Sequence, residues 1–238
     1  MDRNSNMYTI VYASIVTVIV AIALAFAHSS LEPQMLENEK LATQKDILRS
    51  VGLVDLPNTA EVYGKSITSV VIDANGKLVE GVPAETVSMA AEYKKPEADQ
   101  IHPLFIYTAD DGSKKYILPV FGNGLWDKIW GYVAIESDFN TIAGVSMDHK
   151  SETPGLGAEI KDNPEKYDDP FIGKSIYDSN NNYVSIRMVK GGIKEPEHEI
   201  DGISGATITS DGVNEMMERG IGYYLSYFET IKNQTSLK

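Results

Sequence analysis

The stretch Pro103-Leu-Phe-Ile-Tyr-Thr-Ala-Asp-Asp-Gly-Ser-Lys-Lys-Tyr-Ile-Leu-Pro-Val-Phe121 decides the fold. Two apolar, aromatic-rich runs, Pro103 to Thr108 and Lys114 to Phe121, flank the turn residues Asp110-Asp-Gly112, which is the pattern of an antiparallel hairpin. Toward the N-terminus, Ser66 to Asp73 and Lys77 to Glu80 flank the turn Asp73-Ala-Asn-Gly76 and predict another hairpin. Toward the C-terminus, Tyr132 to Glu136, Ile142 to Met147 and Tyr183 to Val189 add strands. Short strands joined by tight turns imply an antiparallel sheet. Beyond them, Val213, Met217, Ile221, Tyr224 and Phe228 fall on one helical face, with Thr209 or Ser210 placed to cap the helix start. A helix packed on such a sheet gives an α+β domain.

Ahead of this domain, Met7 to Ala27 carries no charged side chain and is long enough to cross a bilayer as a helix. A cleaved signal peptide is the competing reading, because Ala25-Phe-Ala27 resembles a small-residue cleavage site. Length favours the anchor, as does a preceding tail with Arg3 as its single basic residue against Asp2. The bias of Arg3 against Glu32 and Glu37 puts the short tail in the cytoplasm and the domain outside. Leu31 to Ser50 has apolar residues at helical spacing and reads as a link from membrane to domain. The expected division is therefore 1–30 tail and transmembrane anchor, 31–55 linking helix, and 56–238 soluble domain.

With 238 residues, the chain has room for one sizeable domain plus appendages. A formal net charge of -13 argues against nucleic acid, which needs clustered Lys and Arg. The sequence has no cysteine, which excludes disulfides, thiolate-held iron–sulfur clusters, c-type haem attachment and a cysteine nucleophile. His28, His102, His149 and His198 lie far apart and form no HExxH pattern, so no metal site is expected.

Chemistry is concentrated in Asp201-Gly-Ile-Ser-Gly-Ala-Thr207-Ile-Thr209-Ser, where a small-residue loop runs into the terminal helix. Read structurally, this is a glycine turn and a cap. Read chemically, Gly205 and Ala206 let a large group approach, and the hydroxyls of Ser204, Thr207 and Thr209 lie beside a helix N-terminus that favours phosphate. The run Asp201 to Thr207 resembles the flavin-attachment motif of the FMN-binding domain family. That resemblance implies FMN bound covalently by phosphoester to Thr207, with Ser204, Gly205 and Ala206 shaping the approach and Asp201 as a recognition or metal-proximal residue during attachment. It also implies a separate flavin transferase that makes the link from FAD.

A second segment, Glu152-Thr153-Pro-Gly155-Leu156-Gly157, reads as a turn on its own and resembles the element that lies against the flavin in the same family. There the glycines would allow close backbone approach, Leu156 would give apolar contact, and Glu152 and Thr153 would give hydrogen bonds. A third, Gly122-Asn-Gly-Leu-Trp126-Asp-Lys-Ile-Trp130-Gly131, resembles the branch of the family found in the sodium-translocating NADH:quinone reductase more than its paralogue in the Rnf complex. Trp126 is a candidate flavin neighbour or an ordinary core aromatic; Trp130 reads as core. Lys190, in Val189-Lys-Gly-Gly192, is either a surface charge or a group near the phosphate or ring. His198, within an acidic loop, departs from the family pattern and reads as part of a solvated charge run.

The resemblance implies an electron-transfer subunit of a bacterial inner-membrane complex, single-pass, with its domain in the periplasm and the other subunits as partners. Gly122-Asn-Gly124 lacks the third glycine of a dinucleotide fingerprint, and no acid–base pair for substrate turnover is visible, so no catalytic residue is expected and the chain is not a complete enzyme alone. Two alternatives remain: the paralogous member of the Rnf complex, and an anchored extracytoplasmic binding module without cofactor.

Overall fold

The structure is a computed structural model describing residues 6–236. Arg3, on which the orientation argument rests, lies outside the described residues. Helix α1 (Asn6–Ser50) is followed by α2 (Thr59–Ser66) and strand β1 (Ile67–Asp73), then by a single turn of helix, α3 (Met89–Glu92). Strands β2 (Ile101–Thr108), β3 (Lys114–Asn123), β4 (Lys128–Ile135) and β5 (Ile142–His149) complete the main sheet. Two further helical turns, α4 (Glu159–Asp162) and α5 (Pro164–Tyr167), precede strands β6 (Arg187–Val189) and β7 (Glu199–Asp201). The chain ends in α6 (Thr207–Gly222) and α7 (Leu225–Ser236).

The main sheet is an antiparallel meander in the order β1-β2-β3-β4-β5. Its central hairpin is the one read from the sequence, with Thr108 opposite Lys114 at the turn. The Asp73–Gly76 turn also forms, its Gly76 N–H donating to Asp73 C=O at 2.9 Å. Lys77 to Glu80 does not continue as a strand, however, and touches β1 at one bridge, Leu78 opposite Ile72. Gly81-Val-Pro83 follows at once, and proline has no N–H to offer a ladder. The strand expected over Tyr183 to Val189 is cut to Arg187–Val189, because Ser185 sits at φ 58 and turns the chain. That short strand pairs in parallel with β7, outside the main sheet.

Alternate residues of β3 feed two cores. Tyr116, Leu118 and Val120 pack with Val213, Met216, Met217, Tyr224 and Phe228 from the terminal helices. Ile117 belongs to the opposite face, with Ile47, Leu48, Tyr63, Val71, Phe105 and Ala134. Helices therefore cover both faces, and β3 is buried nearly throughout instead of alternating. The five residues predicted on one helical face are all fully buried, although the helix divides after Gly222. Tyr224, between the two pieces, donates its hydroxyl to Pro103 C=O at 2.8 Å.

The apolar run and the expected link form one continuous helix, α1, which passes through Pro33. From Met7 to Phe26 nearly all large apolar side chains are exposed, as in a membrane-crossing segment. The compact unit of the domain begins at Gln44, inside this helix, so Ile47 and Leu48 are domain core. Arg49 pairs there with buried Asp168 at 2.5 Å.

His102 on β2 is fully buried, stacked on Tyr223 at 4.1 Å and edge-on to Tyr224, and neither ring nitrogen has a partner. Burial lowers its pKa from 6.5 to about 4, against the opposing charge of Glu92. Between those values the unfolded chain binds a proton that the folded one refuses. Stability is thus full above pH 6.5 and is lost as pH falls toward 4, by roughly 3 kcal/mol in all. His102→Phe keeps the stacking and removes the titration. Urea midpoints measured at pH 7 and pH 4 should show a smaller acid loss in the variant, and equal losses in both proteins would refute the assignment.

Candidate functional site

Three loops meet around Glu152. The first, Gly124 to Asp127, joins β3 to β4; the second, Glu152 to Gly157, follows β5; the third, Gly202 to Ala206, enters α6. The Glu152 carboxylate is buried and accepts from the Thr209 hydroxyl at 2.6 Å and the Trp126 backbone N–H at 2.9 Å. The N–H groups of Leu125 and Asp127 also donate toward it. Burial alone would raise its pKa, but these donors outweigh burial and hold the carboxyl below its ordinary value. Its own N–H donates to His149 Nδ1 at 3.1 Å. A Cβ at Gly157 would fall 2.4 Å from Glu152 Oε2 and 2.6 Å from Thr209 Oγ1, so only glycine fits against this knot.

Glu152 was expected to offer hydrogen bonds to a ring, yet its carboxylate is turned inward and ties together three pieces of its own chain. Thr209 was expected as a cap or a phosphate-side hydroxyl; it is fully buried in the first turn of α6 and committed to Glu152. Ser210 does not cap either. Its hydroxyl accepts from Ile203 N–H at 3.0 Å and donates to Ala206 C=O at 3.1 Å, closing the loop from inside. The helix begins instead at Thr207, with Ala206 at the cap position and no side-chain cap.

That placement leaves Thr207 half-buried on the first turn of a 16-residue helix, where the initial N–H groups have no intrahelical acceptor. Ser204 and Gly205 are exposed and Ala206 is buried. Gly205 takes φ +80, and a Cβ there would lie 2.9 Å from Leu156 Cδ2, so the second and third loops touch. Asp201 is exposed at the end of β7. It pairs in register with Val189, whose C=O accepts from Gly202 N–H at 2.8 Å. Lys190 is therefore exposed beside the start of the third loop.

Trp126 is not a core residue. Its side chain is 68 % exposed, pinned at one edge by Nε1 donating to Thr153 Oγ1 at 3.0 Å. Trp130 is half-buried in β4. Gly155 is exposed at φ +75 on the tip of the second loop. Leu125, Leu156 and Ile208 are large apolar side chains left exposed on these same segments. The residues fit a flavin nucleotide: a helix end for the phosphate, a hydroxyl-bearing residue that is only half-buried, and uncovered apolar and aromatic surface for the ring. His198 is no part of this region and is no solvated charge; it is buried, with Nδ1 2.6 Å from Ser175 C=O.

Sequence reasoning missed Asn214, which holds β6 to α6 by accepting from Met188 N–H at 2.6 Å and donating to Met188 C=O at 3.0 Å. An Asn inside a helix is the signal that could have raised it, since that residue is disfavoured there without a partner.

Comparison with known proteins covers the same ground. The FMN-binding domain family matches residues 124–222, which contain all three loops. The C subunit of the Na(+)-translocating NADH-quinone reductase from Haemophilus ducreyi is 32% identical, over 96% of each chain. Its counterpart from Vibrio anguillarum is 31% identical, over 93% of this chain and 92% of its own. Among solved structures, the C subunit from Parabacteroides distasonis superposes with a TM-score of 0.75 at 34% identity, covering 83% of this chain and 96% of that one. Similarity that runs the length of these relatives, through core and loops alike, shows that the chain belongs to the NqrC family, the C subunits of the Na(+)-translocating NADH-quinone reductase.

Proposed function

We propose that this chain is an electron-transfer subunit of a sodium-translocating NADH:quinone reductase and carries FMN as a phosphoester on Thr207. The observation that supports this most is the position of Thr207, a half-buried residue on the first turn of α6 beside a glycine-opened loop. In attachment, the Thr207 Oγ attacks the FMN-side phosphorus of FAD, the pyrophosphate bond breaks, AMP leaves, and the hydroxyl proton is released. A separate flavin transferase performs this step. The N–H groups at the start of α6 would hold the phosphate, with exposed Lys190 beside the start of the third loop as a cation for it.

Bound flavin supplies reversible one- or two-electron transfer. The chain's own task is to orient it. Trp126 and Leu156 offer surface to the ring, Gly155 and Gly205 place no side chain in its way, and Glu152 holds the three loops in register. The uncharged part of α1 anchors the protein in the bacterial inner membrane, with the domain on the periplasmic side and the other subunits of the complex as its partners. The test is the intact mass of denatured protein from a host with the flavin transferase. An FMN-sized increment that survives denaturation supports the reading, and a colourless protein of unmodified mass refutes it. Recovery of the tagged chain with Rnf proteins instead of reductase subunits would overturn the choice of complex.

A further inference from the structure

We infer that Tyr93 and Asn123 are positioning residues that clamp the neck of the loop carrying Trp126, so that the indole is held in place before anything binds it. The loop Gly124 to Asp127 springs from the last register pair of its hairpin, Asn123 opposite Lys128. Inside the loop, Gly124 N–H donates to Asp127 C=O at 2.7 Å. At the neck, the Asn123 carboxamide is used at both ends: Nδ2 donates to the Tyr93 hydroxyl at 2.7 Å, and Oδ1 accepts from Lys128 Nζ.

Tyr93 comes from a different part of the chain, directly after α3. Its ring lies under two cations, the Arg219 guanidinium 4.1 Å from the centroid and Lys128 Nζ at 5.6 Å, and meets Phe121 edge-on at 5.5 Å. Arg219 is itself fixed, donating to Phe121 C=O at 2.9 Å and to Glu215 at 2.6 Å. Four elements, α3, β3, β4 and α6, thus converge on one hairpin neck. Beyond that neck the loop presents Leu125 and Trp126, 45 % and 68 % exposed.

An exposed tryptophan on an unrestrained loop would lose its freedom only on binding, at a cost to affinity. Here the backbone is bound to Glu152, the indole edge to Thr153 and the loop base to Tyr93, while most of Trp126 stays exposed. The ordering is completed in folding. That Trp126 then receives a flavin ring rests on the function proposed above; the clamp itself does not.

The chain has two tryptophans, so Trp130→Phe leaves Trp126 as the sole indole reporter. In that background, without the flavin transferase, anisotropy decay and acrylamide quenching report the motion of Trp126 in flavin-free protein. Tyr93→Phe deletes the hydroxyl acceptor and keeps the ring under its cations; Asn123→Ala deletes the carboxamide. Both should add a nanosecond component to the decay and raise quenching, with the far-UV circular dichroism unchanged. Should either variant fail to fold, Lys128→Met opens the neck from its other side and should loosen Trp126 likewise. Unchanged decay and quenching in the folded variants overturn the clamp. In flavin-loaded protein the same variants should show less quenching of flavin emission by Trp126. A loosened indole with unchanged flavin emission overturns the placement of the ring on Trp126, independently of the mass measurement on Thr207.

Discussion

Thr207→Ala is expected to lose the whole FMN-sized mass increment after denaturation, while Ser204→Ala keeps it and Thr207→Ser keeps at least part. The distinction comes from where four neighbouring hydroxyls sit. Thr209 is fully buried and donates to Glu152, and Ser210 is buried and held between Ile203 and Ala206. Neither is free to attack a phosphorus atom. Ser204 and Thr207 remain, and Thr207 alone belongs to the first turn of α6, the helix end that favours an anion. Because Thr207 is half-buried on a first turn and fixes no other group, its loss should change folding stability by no more than about 0.5 kcal/mol. A folded Thr207→Ala protein with the full increment would show that the bond forms elsewhere.

Glu152→Ala should cause the largest loss of stability among site variants. The substitution removes a buried acceptor shared by the Thr209 hydroxyl and the Trp126 N–H, with Leu125 and Asp127 N–H groups directed at it as well. Stranding these donors should cost roughly 2–4 kcal/mol, read as a lower urea midpoint at pH 7. Covalent flavin loading should fall with it, since the first loop is released from the helix start. Glu152→Gln keeps the size but turns an NH2 group toward donors, so it should be intermediate. The carboxyl's folded pKa lies below its ordinary 4.5, so its contribution is present above that value and disappears as pH falls through the folded pKa. Glu152→Gln should lack that part of the acid loss. Equal midpoints for Glu152→Ala and the parent protein at pH 7 would dismiss the keystone role.

What could be read in advance depended on whether the cause was local. The hairpin from Pro103 to Phe121 was legible because alternation and a glycine turn act within a few residues. The burial of Val213, Met217, Ile221, Tyr224 and Phe228 was legible because helical period fixes a face. The strand over Tyr183 to Val189 was misread because a positive φ at Ser185 does not show in a run of strand-forming residues. Trp126 illustrates the same limit: apolarity does not say whether a side chain is covered, and only the neighbouring loops decide that.

By its own order of residues, the sequence determined the uncharged N-terminal segment, the antiparallel meander, the terminal helix and the segment in which Thr207 stands. Tertiary structure alone decided that Glu152 faces inward, that Thr209 and Ser210 are spent on the fold, and that Asn123 reaches Tyr93. The reason is physical. Period, turn chemistry and composition act between residues a few positions apart, whereas Glu152 and Thr209 are 57 positions apart and Asn123 and Tyr93 are 30. Hydrogen bonds over such separations form only once the sheet has brought its loops to one end, and no local pattern encodes which donors will meet there.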